Sequence, residues 1–534
     1  MERHVPGLGV VSGIVSDKFR HIEQYNGIPY GTIEARFRQA KLVTSWHGDK
    51  WDGKEYGPIC PFPKMVIGHG LTQARLPPQN NYDMDEFNCL NLNITCPIGS
   101  APQDSWPVMV WIHGGGNCVG MGSDSGYNGG PLVHFSVERD APIVIVTINY
   151  RLGAFGFLAS KEIQEDNKQA GDHGFGNYGL RDQLLAYEWI KKNIRAFGGD
   201  PSRVTAAGHS AGSIDTHILM SSGLFFKETP FHQAILQSGV SSRNVLTIER
   251  QQKRFDLITT HLKIGAEKSR TEKLQDLRDI PPDDLVKAYI ALGTPVPSWQ
   301  GTVDNHFLHS VSTASSLPSM KYPSTLRRLL LGDTQHEGLI FGTPIKKAGL
   351  EFAKVQLAVE QSLGRENTQR VLEAYGITKE LSPQQLFVPV VQIVTDGAWS
   401  QPIEAVAKSF SNGDVFYYHL TEVNPFEGPN KDTAHHGVDL LFVFLSYQSL
   451  LSPTLASLGE IIAMHWITFI NGGKPWTPYS QKSDGSSAVM LFGNNGPQKE
   501  ITEAEKPNYE TLRLCESLQD RFGVLEGYLR GEKL

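Results

Sequence analysis

A serine with a glycine two residues away on each side stands in the stretch Gly208-His209-Ser210-Ala211-Gly212. Residues 203–207 have the composition of a short buried strand, and the apolar residues after the serine recur at helical spacing. A strand that turns directly into a helix around such a serine is typical of a nucleophile elbow, which exposes the hydroxyl above the sheet edge. An ordinary glycine-rich turn has the same composition. The prediction that Ser210 is a nucleophile therefore depends on a base, an acid and oxyanion donors elsewhere.

A second glycine cluster, His113-Gly114-Gly115-Gly116, directly follows an apolar strand predicted over 107–112. Successive glycines let several backbone N–H groups point into one space and let a substrate approach the backbone. An acyl-transfer serine needs such donors for the oxyanion of its tetrahedral intermediate. Because a loop of this type lies upstream of the nucleophile elbow, we expect the oxyanion donors here.

The acid and the base should follow the serine, in the order acid and then histidine. Two carboxylates, Asp333 and Glu337, come after the end of a predicted strand. Two adjacent histidines, His435 and His436, precede an apolar run. The residue types and their order do not choose between the two carboxylates or between the two histidines.

The elements that must position these residues alternate between strands and helices. Strands are expected at 89–94, 107–112, 143–148, 203–207, 234–239 and 415–420, and helices at 178–196, 458–470 and 509–520. This alternation predicts an α/β fold with a large, mostly parallel twisted sheet flanked by helices. We expect a single domain over 1–534, with helical excursions around 246–300 and 346–410.

Composition limits the classes of function. The chain has 534 residues, a net charge of −7, 40% hydrophobic and 20% charged residues, as in ordinary soluble globular proteins. No basic run suited to nucleic acid is present. The most apolar stretch, 141–159, has Asn149 and Arg151 near its centre, which favours a buried strand over a membrane span.

The N-terminus has no apolar signal region, and five cysteines are too few and too uneven for a disulfide framework. These observations predict a cytoplasmic enzyme without a nucleic-acid partner. They give no information on the oligomeric state.

Stretches spread along nearly the whole chain form a specific set. They are Asn26-Gly27-Ile28-Pro29-Tyr30, Arg36-Phe37, Cys89-Leu90-Asn91-Leu92-Asn93, Asn149-Tyr150-Arg151-Leu152-Gly153, Gly176-Asn177-Tyr178-Gly179-Leu180-Arg181-Asp182-Gln183, Phe197-Gly198-Gly199-Asp200-Pro201 and Ala234-Ile235-Leu236-Gln237-Ser238-Gly239. Together they resemble the type-B carboxylesterases of the cholinesterase-like α/β-hydrolase family. Within that family the chain is most similar in style to the fungal intracellular members. The resemblance implies an α/β-hydrolase fold and a serine ester hydrolase.

The resemblance also chooses between the paired candidates. The family's acid is the glutamate of a G-x-x-x-x-E-G stretch, which here is Glu337. Its base is the histidine of an H-G-x-[ED] stretch, here His436, and Asp439 matches the acidic position of that stretch. Ser238 and Asp439 resemble a pair that steadies the base.

The implied mechanism is that of a serine esterase. Ser210 attacks the ester carbonyl, His436 moves the proton, and Glu337 stays ionised and orients the histidine. The oxyanion donors would be the backbone N–H groups of Gly115, Gly116 and Ala211. Water then resolves the acyl-enzyme, and no metal or cofactor is needed.

The chain departs from the family pattern before its second signature. The family often has Glu-Asp there, whereas this chain has Phe87-Asn88, so the usual salt bridge to Arg36 requires Glu86 as a substitute. Cys60 and Cys89 occupy the positions of a loop-closing disulfide in the family. Without a signal region the sequence does not decide whether Cys60 and Cys89 form this bond, because disulfides are rare in the cytoplasm.

A second departure follows the triple glycine, where Asn117 and Cys118 replace an aromatic that is frequent in the family. We expect Cys118 to be a wall residue of the site and not a nucleophile. The stretch 61–88 contains no tryptophan, which gives no support to a choline site of the cholinesterase kind.

Two alternative functions are compatible with the resemblance. An acyltransferase, or a lactone-forming or lactone-opening tailoring enzyme of secondary metabolism, uses the same triad with a different acceptor. A non-catalytic cholinesterase-like binding protein would have lost a triad member, and this chain keeps all three. We therefore predict a carboxylesterase for a small-molecule ester, whose pockets are built by the regions 61–88, 290–345 and 380–400.

Overall fold

The fold is described from a computed structural model of the chain. The described residues are 1–16, 18–19, 21–63, 83–222, 229–292, 298–480, 486–493 and 498–529. Most of the region 61–88 and a part of 290–345, both expected to build the substrate pockets, lie outside these residues.

A mixed sheet of eleven strands forms the centre of the described part of the chain. In chain order its strands are β1 (Ile14–Val15), β2 (Ile22–Pro29), β3 (Asn91–Pro97), β4 (Trp106–Ile112), β5 (Val144–Ile148), β6 (Gly199–His209), β7 (Gln233–Gln237), β8 (Arg328–Thr334), β9 (Asp414–Leu420), β10 (Ala488–Phe492) and β11 (Gln498–Thr502). Their spatial order is β11-β10-β9-β8-β7-β6-β4-β5-β3-β2-β1. Neighbours from β5 to β10 are parallel, and both ends of the sheet are antiparallel.

The centre of the sheet is buried on both faces. In β4, Val108, Val110 and Ile112 belong to one hydrophobic cluster, and Met109 and Trp111 belong to another. Successive side chains of a strand point to opposite faces, so the two clusters are the two layers between the sheet and its flanking helices. The near-continuous apolar runs in the sequence follow from this burial, and the large, mostly parallel sheet with its helices agrees with the predicted α/β fold.

The α-helices of the described chain lie between and after these strands. They are α1 (Gly129–Glu138), α2 (Gly153–Phe157), α3 (Lys161–Gln169), α4 (Tyr178–Asn193), α5 (Ala211–Ser221), α6 (Ile248–His261), α7 (Arg270–Asp279), α8 (Pro282–Ile290), α9 (Gly342–Ala348), α10 (Phe352–Leu363), α11 (Arg365–Ala374), α12 (Pro383–Thr395), α13 (Gln401–Ser409), α14 (Leu440–Val443), α15 (Pro453–Ile470), α16 (Tyr509–Leu518) and α17 (Asp520–Leu529). Helices α6–α8 and α9–α13 occupy the two regions predicted as helical excursions.

Short strands form three small sheets outside the main one. The first joins Glu2–Val5, Gly9–Ser12 and Lys50–Asp52, the second joins Gly31–Thr32 with Lys41–Leu42, and the third joins Val245–Leu246 with Gly301–Thr302. The strands of the N-terminal segment are therefore divided between a small sheet and the edge strand β1.

Helix α15 is, by length and composition, apolar enough to cross a membrane, the one such helix in the described residues. Its side chains Leu458, Ile462 and Trp466 are buried in the second hydrophobic cluster. The core helix of a soluble protein has the same composition, so the helix is weak evidence for a span.

Two buried ion pairs account for charged residues of the sequence signatures. Arg36 donates to both carboxylate oxygens of Glu86 at 2.7 and 2.6 Å, so Glu86 does take the place of the family's usual partner. Arg151 makes the same bidentate contact with Asp182, at 2.7 and 2.6 Å. Such paired geometry compensates for the loss of hydration of the charges. All five cysteines, with Cys60 and Cys89 among them, are free thiols in this structure.

Candidate active site

Ser210 occupies the sharp turn between β6 and α5. Its φ of 56° and ψ of −122° lie outside the regions that L-residues ordinarily adopt, a strain that clusters at functional sites. A Cβ at Gly208 would overlap the backbone of Gly212, and one at Gly212 would overlap the carbonyl oxygen of Ile112. The two flanking glycines thus allow the turn to pack against the end of β4. Ser210 itself is half-buried, whereas its neighbour His209 is fully buried.

The glycine loop after β4 lies directly against this turn. A Cβ placed at Gly114 would lie 3.1 Å from the Cβ of Ser210. Gly115 and Gly116 have φ values of 109° and 65°, and a Cβ at Gly115 would overlap the carbonyl group of Val119. Within the described chain, the N–H groups of these two glycines and of Ala211 donate no hydrogen bond to protein. They are the amide donors that the sequence predicted for an oxyanion.

Glu337 and His436 form a buried pair. Glu337 Oε1 accepts a hydrogen bond of 2.7 Å from the backbone N–H of Thr334, and Oε2 accepts one from His436 Nδ1. A histidine that donates through Nδ1 keeps a lone pair on Nε2. That nitrogen has no partner among the described residues, and the ring centroid of His436 lies 4.7 Å from that of His209, next to Ser210.

The two alternative candidates are engaged elsewhere. Asp333 bonds His419 Nδ1 at 2.7 Å. Burial would raise the pKa of Asp333, but the charges of Lys506 and His419 lower it to about 2. His435 Nδ1 bonds the carbonyl oxygen of the next residue at 2.8 Å, and burial lowers its pKa to about 4. Asp333 and His435 thus have other partners, whereas Glu337 and His436 bond each other.

Asp439 is buried, and its Oδ1 lies 3.9 Å from His209 Nε2. Its Oδ2 accepts hydrogen bonds from Gln237 Nε2 at 2.8 Å and from the Tyr418 hydroxyl at 2.9 Å. Burial raises the pKa of Asp439 to about 6. The resemblance named Ser238 and Asp439 as a pair that steadies the base, and Ser238 Oγ has no hydrogen-bond partner among the described residues. Trp466 Nε1 donates to Gln237 at 3.1 Å, which holds the amide that contacts Asp439.

The sequence reasoning did not identify the aromatic side chains near the base. The ring centroid of Trp399 lies 5.5 Å from that of His436, and Phe341 lies 5.8 Å from Trp399. Trp399 belongs to a π-helical turn, Asp396–Ser400, between α12 and α13. Such turns are rare and often occur at functional sites. No feature of the sequence predicted this one.

Cys118 follows the glycine loop and is fully buried. Burial raises the pKa of its thiol to about 12. Because the thiolate is the nucleophilic form of cysteine, this environment disfavours a nucleophilic role and agrees with the expectation of a wall residue.

A further buried carboxylate, Asp215 of α5, was also not identified from the sequence. Its Oδ1 accepts a hydrogen bond of 2.9 Å from Asn117 Nδ2, and its Oδ2 accepts one of 2.7 Å from Gln183 Nε2. Both donors are neutral, and burial raises the pKa of Asp215 to about 7. The sequence does contain one signal for this contact. Asn117 is a polar residue at a position where the family frequently has an aromatic residue.

The raised pKa of Asp215 has a measurable consequence for stability. An unfolded aspartate titrates near pH 3.9, so the folded state holds the proton between about pH 4 and pH 7 while the unfolded state loses it. The stability of the wild type should therefore fall with rising pH in this window. Asp215→Asn removes the ionisation, so its Tm relative to wild type should be higher at pH 8 than at pH 5. An equal Tm difference at the two pH values would contradict the assignment.

Comparison with known proteins identifies relatives along the whole chain. Residues 3–510 match the sequence model of the carboxylesterase family. A fumonisin B1 esterase from Sphingopyxis macrogoltabida is 35% identical over 529 residues, which cover 97% of this chain and 86% of that protein. The para-nitrobenzyl esterase of Bacillus subtilis (strain 168) is 29% identical over 476 residues, covering 85% of this chain and 87% of that protein. A solved structure of a PNB esterase aligns with a TM-score of 0.75 at 26% identity, covering 96% of this chain and 99% of that one.

Proposed function

The chain belongs to the carboxylesterase family and is a carboxylesterase, and from this premise we propose that it hydrolyses esters through Ser210, His436 and Glu337. The observation that carries the proposal is the buried Glu337–His436 hydrogen bond, which leaves His436 Nε2 without a partner beside the strained turn of Ser210. A serine esterase requires this combination of an oriented base and an exposed nucleophile.

In the proposed reaction, Ser210 Oγ attacks the ester carbonyl carbon while His436 Nε2 accepts the hydroxyl proton. The tetrahedral intermediate collapses as His436 returns the proton to the leaving alcohol, which gives an acyl-enzyme. A water molecule then repeats the sequence and releases the carboxylic acid and Ser210. Glu337 remains ionised throughout and stabilises the imidazolium that forms in each step.

The negative charge of each tetrahedral intermediate falls on the former carbonyl oxygen. We assign its stabilisation to the unpaired backbone N–H groups of Gly115, Gly116 and Ala211. Removal of one such donor in other serine hydrolases costs about 2.7–4 kcal/mol of transition-state stabilisation. Because these donors belong to the backbone, they are already oriented before the charge develops.

The proposed substrate is a small-molecule ester, and two observations favour one with an aromatic or bulky apolar part. Trp399 lies next to the proposed base His436, and Phe341 packs against Trp399, so an apolar part of a substrate bound near His436 would have aromatic contacts. One relative is named as an esterase of para-nitrobenzyl esters. We extend this preference to the present chain as a proposal.

The test uses the purified full chain with p-nitrophenyl esters of graded acyl length and with a p-nitrobenzyl ester. Hydrolysis with a dependence on acyl length is expected, together with stoichiometric labelling of Ser210 by a fluorophosphonate. Product analysis with and without added alcohol would reveal acyl transfer as the main reaction if transesterified product predominates. The absence of both turnover and labelling in a folded sample would contradict the proposed function.

A further inference from the structure

Asn117 and Asp215 join two elements that the proposed function uses together. Asn117 follows the glycine loop that supplies Gly115 and Gly116, and Asp215 lies on α5, whose first residue is Ala211. Resting on the proposed function, we propose that the Asn117–Asp215 hydrogen bond is a strut that positions the oxyanion loop against the nucleophile helix. Both side chains would then be positioning residues for the reaction.

Asn117 is held in a defined orientation. It is buried and has a φ of 55°, a left-handed conformation that asparagine tolerates better than most residues. Its Nδ2 lies 2.9 Å from Asp215 Oδ1 and 3.3 Å from the carbonyl oxygen of Trp299. Its Oδ1 lies 3.1 Å from the Tyr150 hydroxyl, and its carbonyl oxygen accepts a 2.7 Å hydrogen bond from Gly153 N–H. Both polar groups of the side-chain amide, the NH₂ and the carbonyl oxygen, therefore make hydrogen bonds.

Asp215 is 1% exposed and makes hydrogen bonds on both oxygens. The described residues give it no ion-pair partner, since its two donors, Asn117 and Gln183, are uncharged amides. Burial of a carboxylate is costly unless its hydrogen bonds are made. Asp215 thus ties α4, through Gln183, and the oxyanion loop, through Asn117, to the helix that begins at the nucleophile.

The strut matters because the oxyanion donors come from two separate elements. Gly115 and Gly116 belong to the loop after β4, while Ala211 is the N-terminal residue of α5. All three N–H groups must lie within 2.7–3.1 Å of one oxygen position for full effect. A change of about 1 Å in such a spacing is enough to lower a rate by about 100-fold. The hydrogen bond from Asn117 to Asp215 links these two elements directly.

The experiment measures kcat, KM and the affinity for an aryl trifluoromethyl ketone, which forms a tetrahedral adduct. Asp215→Ala and Asn117→Ala should each lower kcat by about 10- to 100-fold, because the loss falls on a charge that exists only in the transition state. We expect KM to change by less than about threefold and the affinity for the ketone to fall in parallel with kcat/KM. The double variant should be no slower than the slower single variant, since both remove one hydrogen bond.

Asp215→Asn is the conservative rescue. Its Oδ1 can still accept from Asn117, and its new amide N–H can donate to Gln183 Oε1, a buried atom without a partner in the described structure. We expect its kcat to stay within about threefold of wild type. Gln183→Ala is the matched control, because it removes the other hydrogen bond of the same carboxylate and leaves the strut in place; it should lower Tm with little change in kcat.

Fluorophosphonate titration of active sites corrects every rate for the folded fraction. The proposal is overturned if Asp215→Ala keeps the corrected kcat and ketone affinity of wild type, if Gln183→Ala loses as much kcat as Asp215→Ala, or if the two single effects multiply in the double variant. A wild type that is neither labelled nor active would instead contradict the proposed function, so the two failures are distinguishable.

Discussion

Replacement of Ser210 with alanine is expected to lower kcat about 10⁶-fold for every p-nitrophenyl ester that the wild type hydrolyses, by comparison with other serine triads. The reason is that no other described side chain stands in the turn between β6 and α5 with amide donors beside it. KM should change little, because the hydroxyl contributes to bond formation and not to ground-state binding. The measurement is steady-state hydrolysis with the variant purified separately from any wild-type enzyme.

Ser213→Ala provides the control. Ser213 lies on the same helix, and its hydroxyl donates to the carbonyl oxygen of Gly239. Loss of this buried hydrogen bond should cost about 1 kcal/mol of stability without an effect on kcat beyond about threefold. If Ser210→Ala kept more than about a tenth of the wild-type rate, the nucleophile assignment would be wrong.

The parts of the site that the sequence could predict are local. The elbow and the glycine loop are each contained in a few consecutive residues, and close backbone contacts require their glycines. Gly208, Gly212 and Gly115 all stand where a Cβ would overlap backbone atoms. The strands of the sheet centre could be predicted equally well, because burial on both faces requires continuous apolar runs in the sequence.

Residue types alone could not distinguish Asp333 from Glu337, because their partners depend on the register between β8 and β9. In that register Asp333 stands opposite His419, so the two side chains pair across neighbouring parallel strands. Glu337 comes after the end of β8, in the 3₁₀ turn Glu337–Phe341. There the backbone of His336 pairs with that of His435, which brings the histidine segment alongside the acid. A register of this kind is a tertiary property.

The partners of Asp439 were missed for a related reason. Gln237 and Asp439 are separated by 202 positions in the chain, and Trp466 lies still further along. The resemblance named Ser238, the residue after Gln237, but did not point to Gln237. Successive residues around the end of β7 point in different directions, so the motif does not show which of these side chains contacts Asp439. Sequence motifs locate the segment but not the direction of each side chain.

Substitution of Glu337 by glutamine is expected to lower kcat about 10⁴-fold, as the loss of the carboxylate does in a related triad. The amide of a glutamine has one acceptor and one donor group. The N–H of Thr334, which now donates to Oε1, would select the amide oxygen, so the amide NH₂ would face His436 Nδ1. A histidine that accepts at Nδ1 carries its proton on Nε2 and cannot remove the proton from Ser210.

Asp333→Asn is the matched control, because it makes the same change in a buried carboxylate that also bonds a histidine, four residues earlier in the chain. Asp333 pairs with His419 and lies near Lys506, so its loss should lower Tm. Its kcat per active site, titrated with a fluorophosphonate, should stay within about tenfold of wild type, while Glu337→Gln loses most of its activity at a near-normal Tm. Equal losses of kcat per active site in the two variants would show that the effect is not specific to Glu337, and the assignment of Glu337 as the acid would then be wrong.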